Sequence, residues 1–168
     1  MQDVVEAGKD RRAKLVGVIT DQTGITDAMI AGLVATFYAR VRQDPLLSPV
    51  FERVKDWDSH LARLGDFWSS VVLMSGRYHG QPMLAHLSLQ IEPRHFDRWL
   101  ALFERAAADT CPPAAAAHFV DKARRIADSF EMGIASQRGQ IAAPRHGARR
   151  ALPIVAAQSS DGIVKADE

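Results

Sequence analysis

The chain has 168 residues, enough for one domain of ordinary size, and 47% of them are apolar. Its 21 basic and 20 acidic residues nearly cancel, a balance that argues against disorder and against a nucleic-acid partner. No apolar run approaches the roughly 18 residues of a membrane span, and the charged amino terminus is unlike a signal peptide, so we expect a cytoplasmic protein without a membrane partner.

The two ends of the chain differ in composition from its middle. Residues 1–23 mix charges with a small apolar patch at 15–19 that has no partner nearby in the sequence. Residues 138–168 are rich in Ala, Gly, Ser and Gln and show no sustained period, which predicts a mobile, disordered tail. One domain is therefore expected over residues 24–137, with an extension on each side.

The domain is predicted to be all-α, because its apolar residues recur three and four positions apart and no alternating strand pattern is present. The predicted helices span residues 26–43, 58–74, 93–109 and 113–136. Thr26 is a suitable N-cap, Pro93 is a favoured first-turn residue, and Gly76 is a plausible C-terminal glycine. A short apolar piece, 83–89, is too brief for a helix of normal length.

Two histidines stand in apolar surroundings. At 100° per residue, His60, Leu64 and Phe67 share one narrow arc, so His60 lies in the centre of an apolar stripe. His86 lies in the short piece 83–89, where a buried imidazole needs a specific partner because unpaired burial is costly. A lone histidine on an apolar face is also consistent with a core residue satisfied by one hydrogen bond.

The sequence offers few other sites for chemistry. No two histidines have the four-residue helical spacing of a zinc site, and Cys111 is the single cysteine. No nucleophile elbow and no glycine-rich phosphate loop are found. A flat apolar cofactor such as an iron porphyrin fits better, since it needs one neutral imidazole and an enclosing apolar wall. The aromatic residues would serve equally as the core of a four-helix protein, and periodicity alone does not decide between the two.

Five short motifs follow one another along the domain. They are FYARVRQDPLLSPVF at 37–51, WDSH at 57–60, FWSSV at 67–71, YHGQPM at 78–83 with His86 after it, and FDRWL at 96–100. Together, over about two-thirds of the chain, they resemble the third group of the truncated haemoglobins, a bacterial globin family. The resemblance implies a two-over-two helical sandwich around haem b, that is, iron protoporphyrin IX.

The resemblance also implies roles for the matched residues. His86 would be the proximal iron ligand through Nε2, with its Nδ1–H donated to a backbone carbonyl. Tyr38 and Trp99 correspond to distal residues whose O–H and N–H groups donate to a bound ligand. His60 corresponds to a distal-helix histidine that contacts the ligand or swings as a gate to solvent. The other residues expected around the cofactor are Phe51, Arg63, Leu64, Phe67, Trp68, Phe96 and Phe103.

Three of these assignments have simpler alternatives that stay open. Tyr38 is also consistent with a position at the rim of its helix, its hydroxyl in water. Trp99 is also consistent with ordinary core packing. Arg63 is placed to reach a propionate at the edge of the pocket, but it equally fits a solvated surface arginine.

Three functions are compatible with the sequence. The first is binding of dioxygen and other small ligands, namely nitric oxide, carbon monoxide, cyanide or peroxide. Two distal donors would slow ligand release by roughly 10²–10⁴-fold, which suits oxygen transport poorly and favours a second function, nitric oxide dioxygenation or peroxide-dependent oxidation with an external, unknown reductase. The third is a helical interaction domain without haem.

Overall fold

The chain between residues 2 and 147 folds into six α-helices and one short 3₁₀ turn, in a computed structural model that describes these residues. The helices are α1 (Gln2–Thr23), α2 (Asp27–Val41), α3 (Trp57–Val72), α4 (Pro82–Leu87), α5 (Pro93–Thr110) and α6 (Pro113–Gln137), and the 3₁₀ turn is Ser48–Phe51. No strand occurs between residues 2 and 147. The prediction of an all-α chain is confirmed.

Two helix pairs cross to form a two-over-two sandwich, as the resemblance implied. Helix α2 packs against both α3 and α5, α5 packs along α6, and α3 also meets α6. The short helix α4 lies on α6, and α1 touches α6 near the start of the domain. The packing leaves a space bordered by α3, α4, α5 and α6.

Local capping sets the ends of these helices. The Thr26 hydroxyl accepts the backbone N–H of Met29 at 3.2 Å, and α5 begins at Pro93, so both predicted starts are confirmed. Helix α3 ends at Val72, two residues before the predicted end. The reason is backbone conformation: Met74 and Gly76 take φ values of 57° and 68°, which a right-handed helix does not allow.

The core beneath the sandwich is aromatic. Phe37 and Phe103 are fully buried and Trp68 is 1% exposed. The ring of Phe103 stacks on Trp68 at 4.8 Å and on Trp99 at 5.3 Å, and Phe37 meets Phe103 edge-on at 5.1 Å. These contacts hold α2, α3 and α5 at fixed distances from one another.

Both ends of the predicted domain continue into ordered chain. In α1, Val16 and Ile19 of the apolar patch at 15–19 pack against the core, whereas Leu15 and Val18 are exposed. Beyond α6, Arg145 and His146 bind side chains of α5 and α6, which shows that the predicted tail begins with a docked segment. The prediction of a tail for residues 148–168 lies outside the described residues.

One further property of the helices concerns their length and polarity. Among residues 2–147, no single helix is long and apolar enough to cross a membrane, although the bent pair 7–23 and 27–41, which meet at 67°, passes that test together.

Candidate functional site

A cavity of about 280 Å³ opens between α3, α4, α5 and α6. Its wall is mostly aromatic and aliphatic, and the polar groups among its lining residues are three imidazoles, two phenols, two indoles and two guanidinium groups. An apolar pocket with few convergent polar groups is typical of a site for a small molecule or cofactor.

The structure brings ten of the eleven predicted site residues to this cavity. Those that line it are Tyr38, Phe51, His60, Arg63, Leu64, Phe67, Trp68, His86, Phe96 and Trp99. The apolar stripe of α3 centred on His60 is only half-buried, because it faces the cavity instead of a neighbouring helix.

Phe103 is the predicted site residue that the structure does not bring to the cavity. Phe103 lies one turn beyond Trp99 on α5, at a point where α2 has already closed against the helix, and its ring is fully buried among core rings. Phe103 therefore supports two residues of the wall, Trp68 and Trp99, without reaching the cavity.

His86 is oriented by the backbone of its own short helix. Its Nδ1 lies 2.6 Å from the carbonyl oxygen of Pro82. A carbonyl only accepts hydrogen bonds, so Nδ1 carries the proton and Nε2 keeps a free lone pair. The predicted carbonyl partner is confirmed. Burial lowers the pKa of His86 and the Pro82 hydrogen bond offsets only part of this, so the ring is neutral at neutral pH, the form that binds a metal.

Helix α4 is held against α6 by two contacts, one made by the His86 ring and one by Met83. The His86 ring lies 4.5 Å from the ring of Phe130. Met83 packs over Gly133, where a Cβ atom would come within 2.6 Å of the Met83 Cε. The glycine thus lets the six-residue α4 approach α6 closely enough to direct His86 into the cavity wall.

Tyr38 and Trp99 form a coupled pair of donors. Trp99 lies beside Tyr38 and lowers the pKa of its phenol as a hydrogen-bonding neighbour. Both side chains line the cavity, so the Tyr38 O–H and the Trp99 N–H are the donors on this side of it. Burial raises the pKa of Tyr38 well above its ordinary value of 10.0 and the Trp99 bond lowers it only in part, so the phenol stays protonated.

The positions of Tyr38 and Trp99 bear on the two alternatives left open for them. Tyr38 is 5% exposed, which contradicts a rim position with its hydroxyl in water. Trp99 lines the cavity and binds Tyr38, so it does more than fill the core. Phe37 meets Tyr38 edge-on at 4.7 Å and Trp99 at 5.4 Å, and so fixes both rings.

His60 contributes a nitrogen that no other described residue satisfies. Its Nε2 is buried and has no hydrogen-bond partner within residues 2–147. Burial lowers the pKa of His60, and the nearby Arg63 and His86 add to that effect. A buried polar atom without a partner calls for an explanation, and here a molecule in the cavity is the available partner. The ring lies 6.1 Å from that of Tyr38.

Two arginines border the cavity without a carboxylate partner. Arg53 donates to the Ser88 hydroxyl at 3.3 Å, and neither Arg53 nor Arg63 forms an ion pair with any residue of the described range 2–147. Guanidinium groups at the edge of an apolar cavity suit a ligand that carries carboxylates. Arg63 is exposed, so the alternative of a solvated arginine stays open.

Sequence reasoning missed other parts of the wall. They include Val50, Arg53, Tyr78, Leu89, Ile91, His95, Ile126 and Phe130. Phe130 lies on the apolar stripe of α6, and such a stripe does not show whether it meets a side chain or a cavity. The position of His95 could have been predicted locally. It is the third residue of α5, where its Nδ1 accepts the backbone N–H of the N-cap residue Glu92 at 3.0 Å.

The donor set fits an iron porphyrin. A neutral imidazole with a free Nε2 can hold the metal, aromatic and aliphatic walls can enclose the macrocycle, and two guanidinium groups can meet its propionates. The unsatisfied His60 Nε2 and the Tyr38 O–H then remain for a small ligand.

Comparison with known proteins agrees with this chemistry. Residues 19–131 match a family model described as bacterial-like globin. Over 88 residues the chain is 39% identical to the group 3 truncated hemoglobin of Campylobacter jejuni, covering 49% of this chain and 69% of that protein. The crystal structure of the group III truncated hemoglobin from Campylobacter jejuni superposes with a TM-score of 0.60 and 33% identity, covering 64% of this chain and 89% of that one.

Proposed function

Because the chain belongs to the bacterial-like globin family as a group 3 truncated haemoglobin, we propose that it binds haem b in this cavity and small ligands, chiefly dioxygen, at the haem. When bound, the haem iron supplies reversible coordination of small ligands and one-electron redox chemistry. The protein supplies the axial imidazole, the enclosure and the polar groups around the ligand.

The observation that carries the proposal is the state of His86. The Pro82 carbonyl fixes its tautomer, with the proton on Nδ1 and the lone pair on Nε2. Such a hydrogen bond also raises the basicity of a ligating imidazole. His86 is therefore prepared to bind a metal before any metal arrives.

The Tyr38 hydroxyl is the principal donor to a small ligand. Burial keeps the hydroxyl protonated, and Trp99 lies beside it in the cavity wall. The neutral His60 stands beside Tyr38 with its Nε2 unsatisfied. The two residues can thus bind a partly negative ligand or a water that occupies its place.

Nitric oxide dioxygenation or peroxide-dependent oxidation is the second candidate function. The coupled Trp99–Tyr38 pair favours it, because a buried and oriented donor retains a ligand long enough for a second reactant to arrive. Electrons for repeated turnover would come from a reductase outside this chain.

Haem titration of the purified protein tests the proposal. We expect saturation at one haem per chain, with ferric, ferrous and ferrous–carbonyl absorption spectra of a histidine-ligated haem. His86→Ala should lose the haem during gel filtration. His79→Ala is the matched control, because His79 is exposed and does not line the cavity.

Two results would decide against parts of this function. Full haem retention and an unchanged spectrum in His86→Ala would overturn the ligand assignment. For the second function, the oxygenated protein is mixed with nitric oxide in a stopped-flow instrument with an electron donor present. A single stoichiometric event without further turnover would leave reversible ligand binding as the function.

A further inference from the structure

The chain after α6, residues 138–147, returns to the outer face of α5 and α6 and is fastened there. The Asp128 carboxylate of α6 accepts the backbone N–H groups of Arg145, His146 and Gly147 at 2.8, 2.9 and 2.6 Å. Asp128 is 5% exposed, so the carboxylate is wrapped by the segment. This segment lies beyond the residues that match the globin family, 19–131.

Arg145 adds charged contacts to both helices. Its guanidinium binds Glu131 of α6 through two hydrogen bonds of 2.7 and 2.9 Å, and Asp97 of α5 at 3.0 Å. Glu131 is 8% exposed. A bidentate pair of this kind fixes orientation as well as distance, so Arg145 holds the segment in one register.

His146 bridges the two helices with its ring. Its Nδ1 lies 2.8 Å from the Oδ1 of Asp128, and its Nε2 lies 2.9 Å from the Oδ1 of Asp97. Ionised carboxylates only accept hydrogen bonds, so both contacts are hydrogen bonds only when both ring nitrogens carry protons. The geometry is that of an imidazolium.

We propose that residues 138–147 form a proton-operated latch, closed across α5 and α6 when His146 is protonated and loosened when it is neutral. A neutral imidazole carries a proton on only one ring nitrogen. The lone pair of the other nitrogen would then face a lone pair of a carboxylate, and no hydrogen bond forms between them. The latch depends on no occupant of the cavity, so it stands or falls separately from the proposed function.

Charged groups face the latch from both helices. Asp97 of α5 and Asp128 of α6 bind the His146 ring, and Glu131 of α6 and Asp97 bind Arg145, the cation next to it in the segment. The hydrogen bond from His146 is the largest cause that lowers the pKa of Asp97. Burial would raise the pKa of Asp128, but its backbone and His146 hydrogen bonds outweigh burial and lower it.

The direction of the pH dependence follows from the bridge itself. The pKa values of Asp97 and Asp128 are both lowered, so the two carboxylates stay ionised in mildly acidic solution. Because both contacts need a protonated nitrogen on His146, the latch is closed in the imidazolium form and opens as the pH rises.

The latch also braces the cavity from outside. Its three carboxylates follow residues of the cavity wall directly: Asp97 follows Phe96, Asp128 follows Ala127, and Glu131 follows Phe130. Closing the latch therefore fixes the distance between the parts of α5 and α6 that face the cavity.

Amide exchange of the full-length protein tests the latch. The N–H groups of residues 145–147 are bonded to Asp128, so their solvent-exchange rates, measured by NMR and divided by the intrinsic rates, report closure. Loss of one charged hydrogen bond predicts a roughly tenfold fall in protection between about pH 5.5 and about pH 8.5. His146→Gln should show equal protection at both pH values, and the control His79→Gln should behave as wild type.

A second variant covers the case in which His146→Gln does not fold. Asp97→Asn leaves the Asp128 contacts in place and removes one carboxylate of the bridge, so it should reduce the pH dependence to less than about threefold. Equal protection of the wild-type amides at both pH values would overturn the latch. The latch would also be overturned if His146→Gln or Asp97→Asn folds and its amide protection keeps the full pH dependence of the wild type.

Discussion

The two sides of the cavity differ in how they are supported. On the Tyr38 side, Tyr38, Phe37 and Phe103 are 5% exposed or less, and every ring touches at least two others. On the His86 side, helix α4 has six residues, none of them buried. One backbone hydrogen bond and the ring of Phe130 orient His86.

This difference separates stability from cofactor binding. The donors on the Tyr38 side belong to the core, so they are in place before a ligand arrives, and changing them also changes the stability of the fold. The His86 side contributes little buried area, so a variant there should remain folded while it loses the cofactor. The predictions below test this division.

The largest effect is expected from a variant of the Tyr38 side that does not touch the cavity. Phe103→Ala removes a fully buried ring and should lower the free energy of unfolding by about 3–5 kcal/mol. Phe130→Ala, on the half-buried ring beside His86, should lower it by about 1–2 kcal/mol. Urea unfolding of the apoproteins measures both values. Equal losses would show that the two sides are supported alike.

The next effect concerns the coupled donors. Tyr38→Phe removes the O–H that faces the cavity, and dioxygen should dissociate from the haem-loaded protein about 10–100 times faster, as measured by stopped flow. Because Trp99 interacts with Tyr38, we expect Trp99→Phe to act through Tyr38, and the double variant should then be no faster than Tyr38→Phe alone. Multiplied effects in the double variant would mean that each residue donates to the ligand separately.

The sequence predicted those features of the fold and site that depend on neighbours along the chain. Thr26 and Pro93 start their helices as expected, since a cap needs only the next three residues. The His86 bond to a carbonyl, implied by the resemblance, joins residues four apart within one helix. Ten of the predicted site residues reached the cavity.

Features that depend on distant contacts were missed. Periodicity placed Phe103 and Phe130 on apolar faces but did not show which of them meets a cavity and which meets a side chain. The interaction of Trp99 with Tyr38, residues 61 positions apart, could not be predicted either, and it makes the two donors neighbours. Arg145 and His146 looked like tail residues because their carboxylate partners lie 14 or more positions away.

A pH experiment tests the link that joins α2 to α5 on the Tyr38 side. The buried Asp44 accepts the N–H groups of Leu46 and Leu47 and the Arg98 guanidinium at 2.6 Å. Burial would raise the pKa of Asp44, but these partners outweigh burial and lower it. A lowered carboxyl pKa stabilises the fold above the ordinary value of 3.8, and this stabilisation is lost as the pH falls through the lowered value.

Asp44→Asn should therefore lose about 1–2 kcal/mol of unfolding free energy at pH near 7, and the loss should shrink as the pH falls below 3.8, as measured by urea unfolding at each pH. Asp109→Asn is the matched control. Asp109 pairs with Arg40 but is 60% exposed, so its substitution should change stability little at either pH. A difference between Asp44→Asn and wild type that persists unchanged in acid would place the stabilising interaction elsewhere.

The smallest effect is expected at the open edge of the cavity, where Arg63 is exposed and water screens its charge. An exposed ion pair contributes less than about 1 kcal/mol, so Arg63→Gln should speed haem transfer to an excess of an acceptor apoglobin by up to about fivefold. Arg105→Gln is the control, because Arg105 is an exposed residue of α5 that does not line the cavity. If both variants release haem at the wild-type rate, Arg63 is a solvated arginine and the edge of the cavity adds nothing to retention. If only Arg63→Gln releases haem faster, the charge of Arg63 adds to the haem retention that His86 provides. Haem retention then depends on the side of the cavity that the core supports least.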